Sequence, residues 1–137
     1  MNGKGIETKL AVLRDNLARL ATLPQTDFAE FAADFRNVDS ALHRLQTSIQ
    51  ALIDIGSYKV GRRGLRPPDS SRDILTALEV DGALPRGSAD RFAPLFAFRN
   101  RVVHLYDRVD SQRVFDILTQ HRQDLGALLD LLLAIPD

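Results

Sequence analysis

The stretch that decides the fold runs from residue 28 to residue 60 and reads FAEFAADFRNVDSALHRLQTSIQALIDIGSYKV. Within it Phe28, Phe31, Phe35, Val38, Leu42, Leu45, Ile49 and Leu52 recur at alternating spacings of three and four, eight positions in one register. That spacing lays one apolar stripe along an α-helix. Asp27, three residues ahead of Glu30, has the shape of a capping box with Asp in the place of Ser or Thr. Continued to Tyr58, the pattern predicts a single helix of about 45 Å, at about 1.5 Å per residue. A seam of that length packs on another long helix.

The flanks are helical too. Ahead of the seam, Ile6, Leu10, Leu13, Leu17 and Leu20 make a second stripe, which Pro24 stops. After it the pattern fails: Gly56, Gly61, Gly64, Pro67 and Pro68 fall close together and read as a loop, with Lys59, Arg62, Arg63 and Arg66 among them. Ser70 or Ser71 then caps a short helix carrying Ile74, Leu75, Leu78 and Val80, closed by Gly82. Pro85 and Gly87 form a turn, and Ser88 caps a helix through Phe92, Leu95, Phe96 and Phe98, with Pro94 in its first turn or at a kink. Asp110 caps the last helix, whose stripe is Val114, Ile117, Leu118, His121, Leu125, Leu128 and Leu132. No strand-like alternation, repeat or separating linker is present. The expectation is an all-α bundle of four long helices plus a short one, one domain spanning residues 1–137.

Composition narrows the function. The 18 basic and 18 acidic side chains cancel, which argues against a protein that coats nucleic acid by bulk charge but leaves a local basic site open. Arg outnumbers Lys 15 to 3, and the planar guanidinium fork suits phosphate and carboxylate. Cysteine is absent, so there is no disulfide framework, thiolate metal site or cysteine nucleophile. The N-terminal MNGKGIETKL has no apolar run of a signal peptide. No apolar run approaches the roughly 18 residues of a membrane span. A cytoplasmic address without membrane contact is the expectation.

The chemistry concentrates in one stretch, Arg99-Asn100-Arg101-Val102-Val103-His104-Leu105-Tyr106-Asp107-Arg108. His43 and His121 stand apart: each has one carboxylate at helical spacing, Asp39 and Asp124, which is ordinary surface chemistry more often than a metal site. An imidazole near neutral pKa moves protons, and an arginine stabilises charge building up on a phosphate. Together these serve attack of a ribose 2′-hydroxyl on the adjacent phosphate, which requires no metal. The spacing raises a difficulty. On a straight helix His104 points about 140° away from Arg99. Either the helix ends or bends near Val103 and His104, or a second subunit completes the site. The plain alternative is a helix C-terminus where cations favour the dipole.

Arg99, four residues, His104, one residue and Tyr106 together match the Arg-x4-His-x-Tyr signature, and the chain resembles the HepT-like toxins of the HEPN superfamily over residues 5 to 135. The resemblance rests also on the long helix VDSALHRLQTSIQALIDIGSYKV, the turn RPPDSSRDIL and the block from Leu84 to Asp110. It implies a small helical bundle that forms a homodimer, with Arg and His of both subunits in one cleft, acting as a metal-independent endoribonuclease that needs no cofactor. It implies as partner a minimal nucleotidyltransferase antitoxin of the MntA type, which transfers AMP onto the motif tyrosine. Carried over, Arg99 and His104 are catalytic, Asn100 supports them, and Tyr106 is the AMPylation target. Arg101, Lys59, Arg62 and Arg63 are candidate contacts to the RNA substrate, against the plainer reading of a solvated loop for the last three. The alternative function is a non-catalytic, nucleotide-binding adaptor that docks the nucleotidyltransferase.

Overall fold

The computed structural model describes residues 3–104 and 109–136. Six helices follow one another: α1 (Gly3–Leu20), α2 (Phe28–Ala32), α3 (Phe35–Arg62), α4 (Ser71–Val80), α5 (Ser88–His104) and α6 (Ser111–Leu133). No strand occurs among the described residues, so the all-α expectation holds, with a second short helix added.

That addition is a correction. The eight-position stripe is divided between two helices, because Asp34 leaves the helical region of backbone space at φ −120° and ψ 112° and starts α3 with its own side chain. Its carboxylate accepts from the Arg36 N–H at 2.9 Å, as Asp27 does from Ala29 at the start of α2. Two Asp caps seven residues apart compete with one continuous helix, and both are satisfied. The Arg36 guanidinium, which also donates to Asp34, holds that carboxyl below its ordinary range. Phe35 therefore stands outside the core at 71% exposure, while Phe31 is fully buried. The short α2 is held by aromatic contacts on α6: Phe115 lies 5.5 Å from Phe28, edge-on, and 5.2 Å from Phe31.

The second correction concerns the far end. α3 continues to Arg62, so Gly56, Lys59, Gly61 and Arg62 are helical, and the loop begins only after them. At about 42 Å, this helix is the axis of the molecule and packs against all five others. Its buried face, Leu45, Ile49, Leu52 and Ile55 among others, meets Leu13 and Leu20 of α1, Leu75 and Leu78 of α4, Phe92 and Phe96 of α5 and Leu125 and Leu128 of α6 in one core. Asn16, the buried polar residue of α1, is paid in full by α3: its amide donates to Thr47 Oγ1 at 2.8 Å and Ser48 Oγ at 3.0 Å, and its oxygen accepts from Arg44 at 3.1 Å.

Capping of α4 by Ser70 and of α6 by Asp110 is as expected, through the N–H groups of Asp73 and Arg113. Capping of α5 is not. Ser88 is its first helical residue and donates its hydroxyl to Pro85 O at 2.6 Å, so it cannot cap as predicted. Glu79, from the end of α4, accepts the Ala89 N–H at 2.8 Å instead. The N–H groups of Ala89 and Gly87 hold the Glu79 carboxyl below its ordinary range. Pro94 lies in the second turn of α5, beyond the position where proline costs no hydrogen bond, and the helix continues through it.

Candidate functional site

The part of the motif from Arg99 to His104 occupies the C-terminal turns of α5, the helix that Glu79 fastens at its other end. Arg99 and Asn100 are half-buried, and Arg99 is held on two sides. Its Nη2 donates to Gln50 Oε1 of α3 at 2.7 Å, and its Nη1 to Asn100 Oδ1 at 3.2 Å. Gln50 is oriented in turn: its amide nitrogen donates to Asp54 Oδ1 at 3.0 Å, and Asp54 pairs with Lys9 of α1 at 2.8 Å. A polar relay thus runs from α1 through α3 to the guanidinium. Among the described residues Arg99 Nε is the one buried side-chain nitrogen or oxygen without a partner. A buried donor left unpartnered costs about 1–3 kcal/mol, and a ligand oxygen or a water at Nε would remove that cost. One N–H on each terminal nitrogen remains for a phosphate, which two parallel donors bind well.

Sequence reasoning singled out Asn100 as support for the site, and the structure gives it a contact: it is an acceptor for Arg99. Gln50, Asp54 and Lys9 were missed. They lie on other helices, and a glutamine on the half-polar face of a long helix carries no signal of its own.

His104 is the last residue of α5. The helix runs unbroken from Arg99 and ends at His104, which meets the expectation of an end near Val103 and His104; the two backbone positions lie about 140° apart around its axis. Tyr106, the expected AMPylation target, lies outside the described residues.

The candidate RNA contacts scatter. Lys59 is 6% exposed and donates its ammonium to Ile135 O at 2.8 Å. It ties α3 to the end of the chain and is corrected from a loop cation to a buried strut. Arg63 pairs with Asp81 after α4. Arg62 is exposed at the rim of a groove of about 550 Å³ whose walls include Lys9, Asp54, Ser57, Tyr58 and Gly61. Arg101 points the other way, toward α6, into a separate cleft of about 270 Å³. His121, on that cleft, is partnered by Asp124 at 3.1 Å. Among the described residues no group of three or more His, Cys, Asp or Glu could hold a metal, and no helix is long and apolar enough to cross a membrane.

The sequence profile of the family described as Ribonuclease HepT-like matches residues 13–132. The chain belongs to the HepT-like ribonuclease family. It is similar to the mRNA nuclease HepT of Shewanella oneidensis, 27% identical over 129 residues that cover 94% of this chain and 96% of that one. Among solved structures it superimposes with a TM-score of 0.82 on the tri-AMPylated HEPN toxin of Shewanella oneidensis in complex with its MNT antitoxin, 28% identical, covering 98% of this chain and 99% of that one. A toxin–antitoxin complex with AMP-PNP gives a TM-score of 0.80 at 26% identity, over 96% of this chain and 99% of that one. The HepT-like architecture and the end-to-end match agree with the fold built from the residues.

Proposed function

We propose that this single-domain chain is the ribonuclease toxin of a toxin–antitoxin pair, cutting RNA at a site made by Arg99 and His104. The observation that carries the reading is the held guanidinium of Arg99, five residues ahead of a histidine that ends the same helix. Family membership and the relatives, one an mRNA nuclease and one an AMPylated toxin bound to its antitoxin, support it.

In this mechanism His104 takes the proton of a ribose 2′-hydroxyl, whose oxygen attacks the adjacent phosphorus. The bond from phosphorus to the 5′-oxygen breaks, and that oxygen leaves with the proton that His104 took, which returns the imidazole to its neutral form. The products are a 2′,3′-cyclic phosphate and a 5′-hydroxyl, with no redox change and no metal. Arg99 neutralises the charge that accumulates on the phosphoryl oxygens, and Asn100 keeps the guanidinium in place. The working unit is a homodimer. Tyr106 receives AMP from a minimal nucleotidyltransferase antitoxin, and the added phosphate and bulk oppose RNA in the same cleft.

The test is cleavage of RNA in the presence of a chelator, with growth arrest on expression of the chain alone. Arg99→Ala and His104→Ala each lose both activities, by about 100-fold or more. Incubation of the parent with ATP, magnesium and the nucleotidyltransferase adds AMP mass, which Tyr106→Phe loses. Alanine variants that cut as fast as the parent would overturn the site. A parent that leaves growth and RNA untouched would favour the adaptor reading.

A further inference from the structure

α5 carries a second stripe besides the one that holds Arg99. Pro94, Ala97 and Arg101 follow at spacings of three and four, and His104 holds the next position three residues on. Pro94, Ala97 and Arg101 line the cleft of about 270 Å³ between α5 and α6. The opposite wall, from α6, brings Arg113, Gln120 and His121. Arg101 and Arg113 are both exposed, and neither has an ion pair or side-chain hydrogen-bond partner among the described residues. Two guanidinium groups sharing a small cleft repel each other, and an anion between them relieves that. The one acid in the lining, Asp116, accepts from the Gln112 amide at 2.8 Å and keeps its charge, but it forms no ion pair with either arginine, so two cations face one anion. His121 is fixed through Nδ1 by Asp124, which also meets Arg91 at 3.6 Å, so the ring is held in place on the cleft wall.

Volume and position narrow the ligand. The cleft is smaller than the roughly 300–1,000 Å³ that encloses a whole small molecule, and it suits one charged group of a larger chain. Arg101 precedes His104 by about 4.5 Å along the helix axis. A phosphate bound here belongs to a nucleotide next to the one being cut.

Resting on the function proposed above, we propose that Arg101, Arg113 and His121 form a subsite for a flanking phosphodiester of single-stranded RNA, which sets the register of the strand over His104. Arg113 and His121 belong to α6, outside the catalytic motif.

The experiment uses the full chain and a fluorescently labelled single-stranded RNA carrying 2′-O-methyl groups throughout, which lacks the nucleophile and is not cut. Its dissociation constant is measured by anisotropy across a salt series. Arg113→Gln weakens binding about tenfold and flattens the logarithmic salt dependence by about 0.7, the value for one lost phosphate contact on a single strand. Arg113→Lys retains the slope. Arg72→Gln, which removes an exposed cation on α4, changes neither. Unchanged affinity and slope for Arg113→Gln overturn the subsite, as does an equal loss for Arg72→Gln, which makes the effect one of bulk charge. Weakened binding of the nucleotidyltransferase with RNA binding intact also overturns it and makes the cleft a partner surface. Because the parent is assayed on cleavable RNA in parallel, the two readings separate. A parent that cuts RNA while Arg113→Gln binds normally refutes the subsite alone, and a parent that neither binds nor cuts refutes both.

Discussion

At the scale of single residues the site is defined by what holds Arg99. A guanidinium on a flexible stem has many rotamers, and a bidentate grip on a phosphate needs one of them. Gln50 selects it: its oxygen takes Nη2 while its amide, tied to Asp54, cannot turn the wrong way round. Gln50→Ala leaves the buried end of Arg99 with one partner fewer and lets the head move. A displacement of about 1 Å at a reacting group costs on the order of 100-fold. The expected outcome is a fall of about 10- to 100-fold in kcat, with KM and melting temperature moved far less. Single-turnover cleavage and a thermal melt check it, and an unaltered kcat would show that Asn100 alone suffices. This part of the site was illegible in the sequence. The Arg, Asn and His of the motif announce themselves by chemistry within six residues, whereas Gln50 acquires its meaning only when α3 and α5 are packed.

At the scale of elements, periodicity located the helices and local chemistry decided their ends. The stripe from Phe28 to Leu52 is unbroken as a pattern, yet Asp34 divides it, because a strong cap inside a periodic run competes with continuity. The glycines of α3 misled in the opposite sense: Gly56 and Gly61 look like breakers but are helical. Gly56 has a packing reason. A Cβ placed there meets Ile74 Cγ2 at 2.8 Å, and a β-branched side chain has little freedom to withdraw. Gly126 in α6 has no such reason, since its Cβ meets Leu17 Cδ1 at 3.9 Å, an ordinary contact. The same substitution therefore has opposite signs at the two positions. Gly126→Ala gains about 0.5–1 kcal/mol of helix propensity and raises the melting temperature. Gly56→Ala gains as much but incurs about 1–3 kcal/mol of overpacking, so it lowers stability on balance by about 1 kcal/mol, or roughly 2–8 °C. Calorimetry on both variants checks the pair, and equal shifts would mean that α4 moves away from α3 without cost.

At the scale of the whole molecule, the orientation of α5 is the fact with the largest consequence. Arg99 is turned toward α3, where Gln50 holds it. The position of His104, at the end of the same helix, lies about 140° further round, on the stripe to which Arg101 belongs. Within one protomer the positions of the two proposed catalytic residues therefore lie on different sides of one rod. In the homodimer proposed above, a two-fold axis at the ends of two α5 helices would repair this by setting Arg99 of one copy opposite His104 of the partner subunit, and an isologous contact would do so twice. A site shared in this way makes a prediction about mixtures. Arg99→Ala dimers and His104→Ala dimers are each inactive. When the two variants are co-expressed, about half of the dimers are mixed by chance, and each mixed dimer holds one site with both groups intact and one with neither. Cleavage should then recover to about a quarter of the parent rate at equal total protein, since about half of the sites in half of the dimers are whole. Separately tagged copies, purified through both tags, raise the expected recovery to about half. If Arg99 and His104 act within one chain, every site in a mixed dimer lacks one of them, and the doubly purified protein stays as inactive as either variant alone.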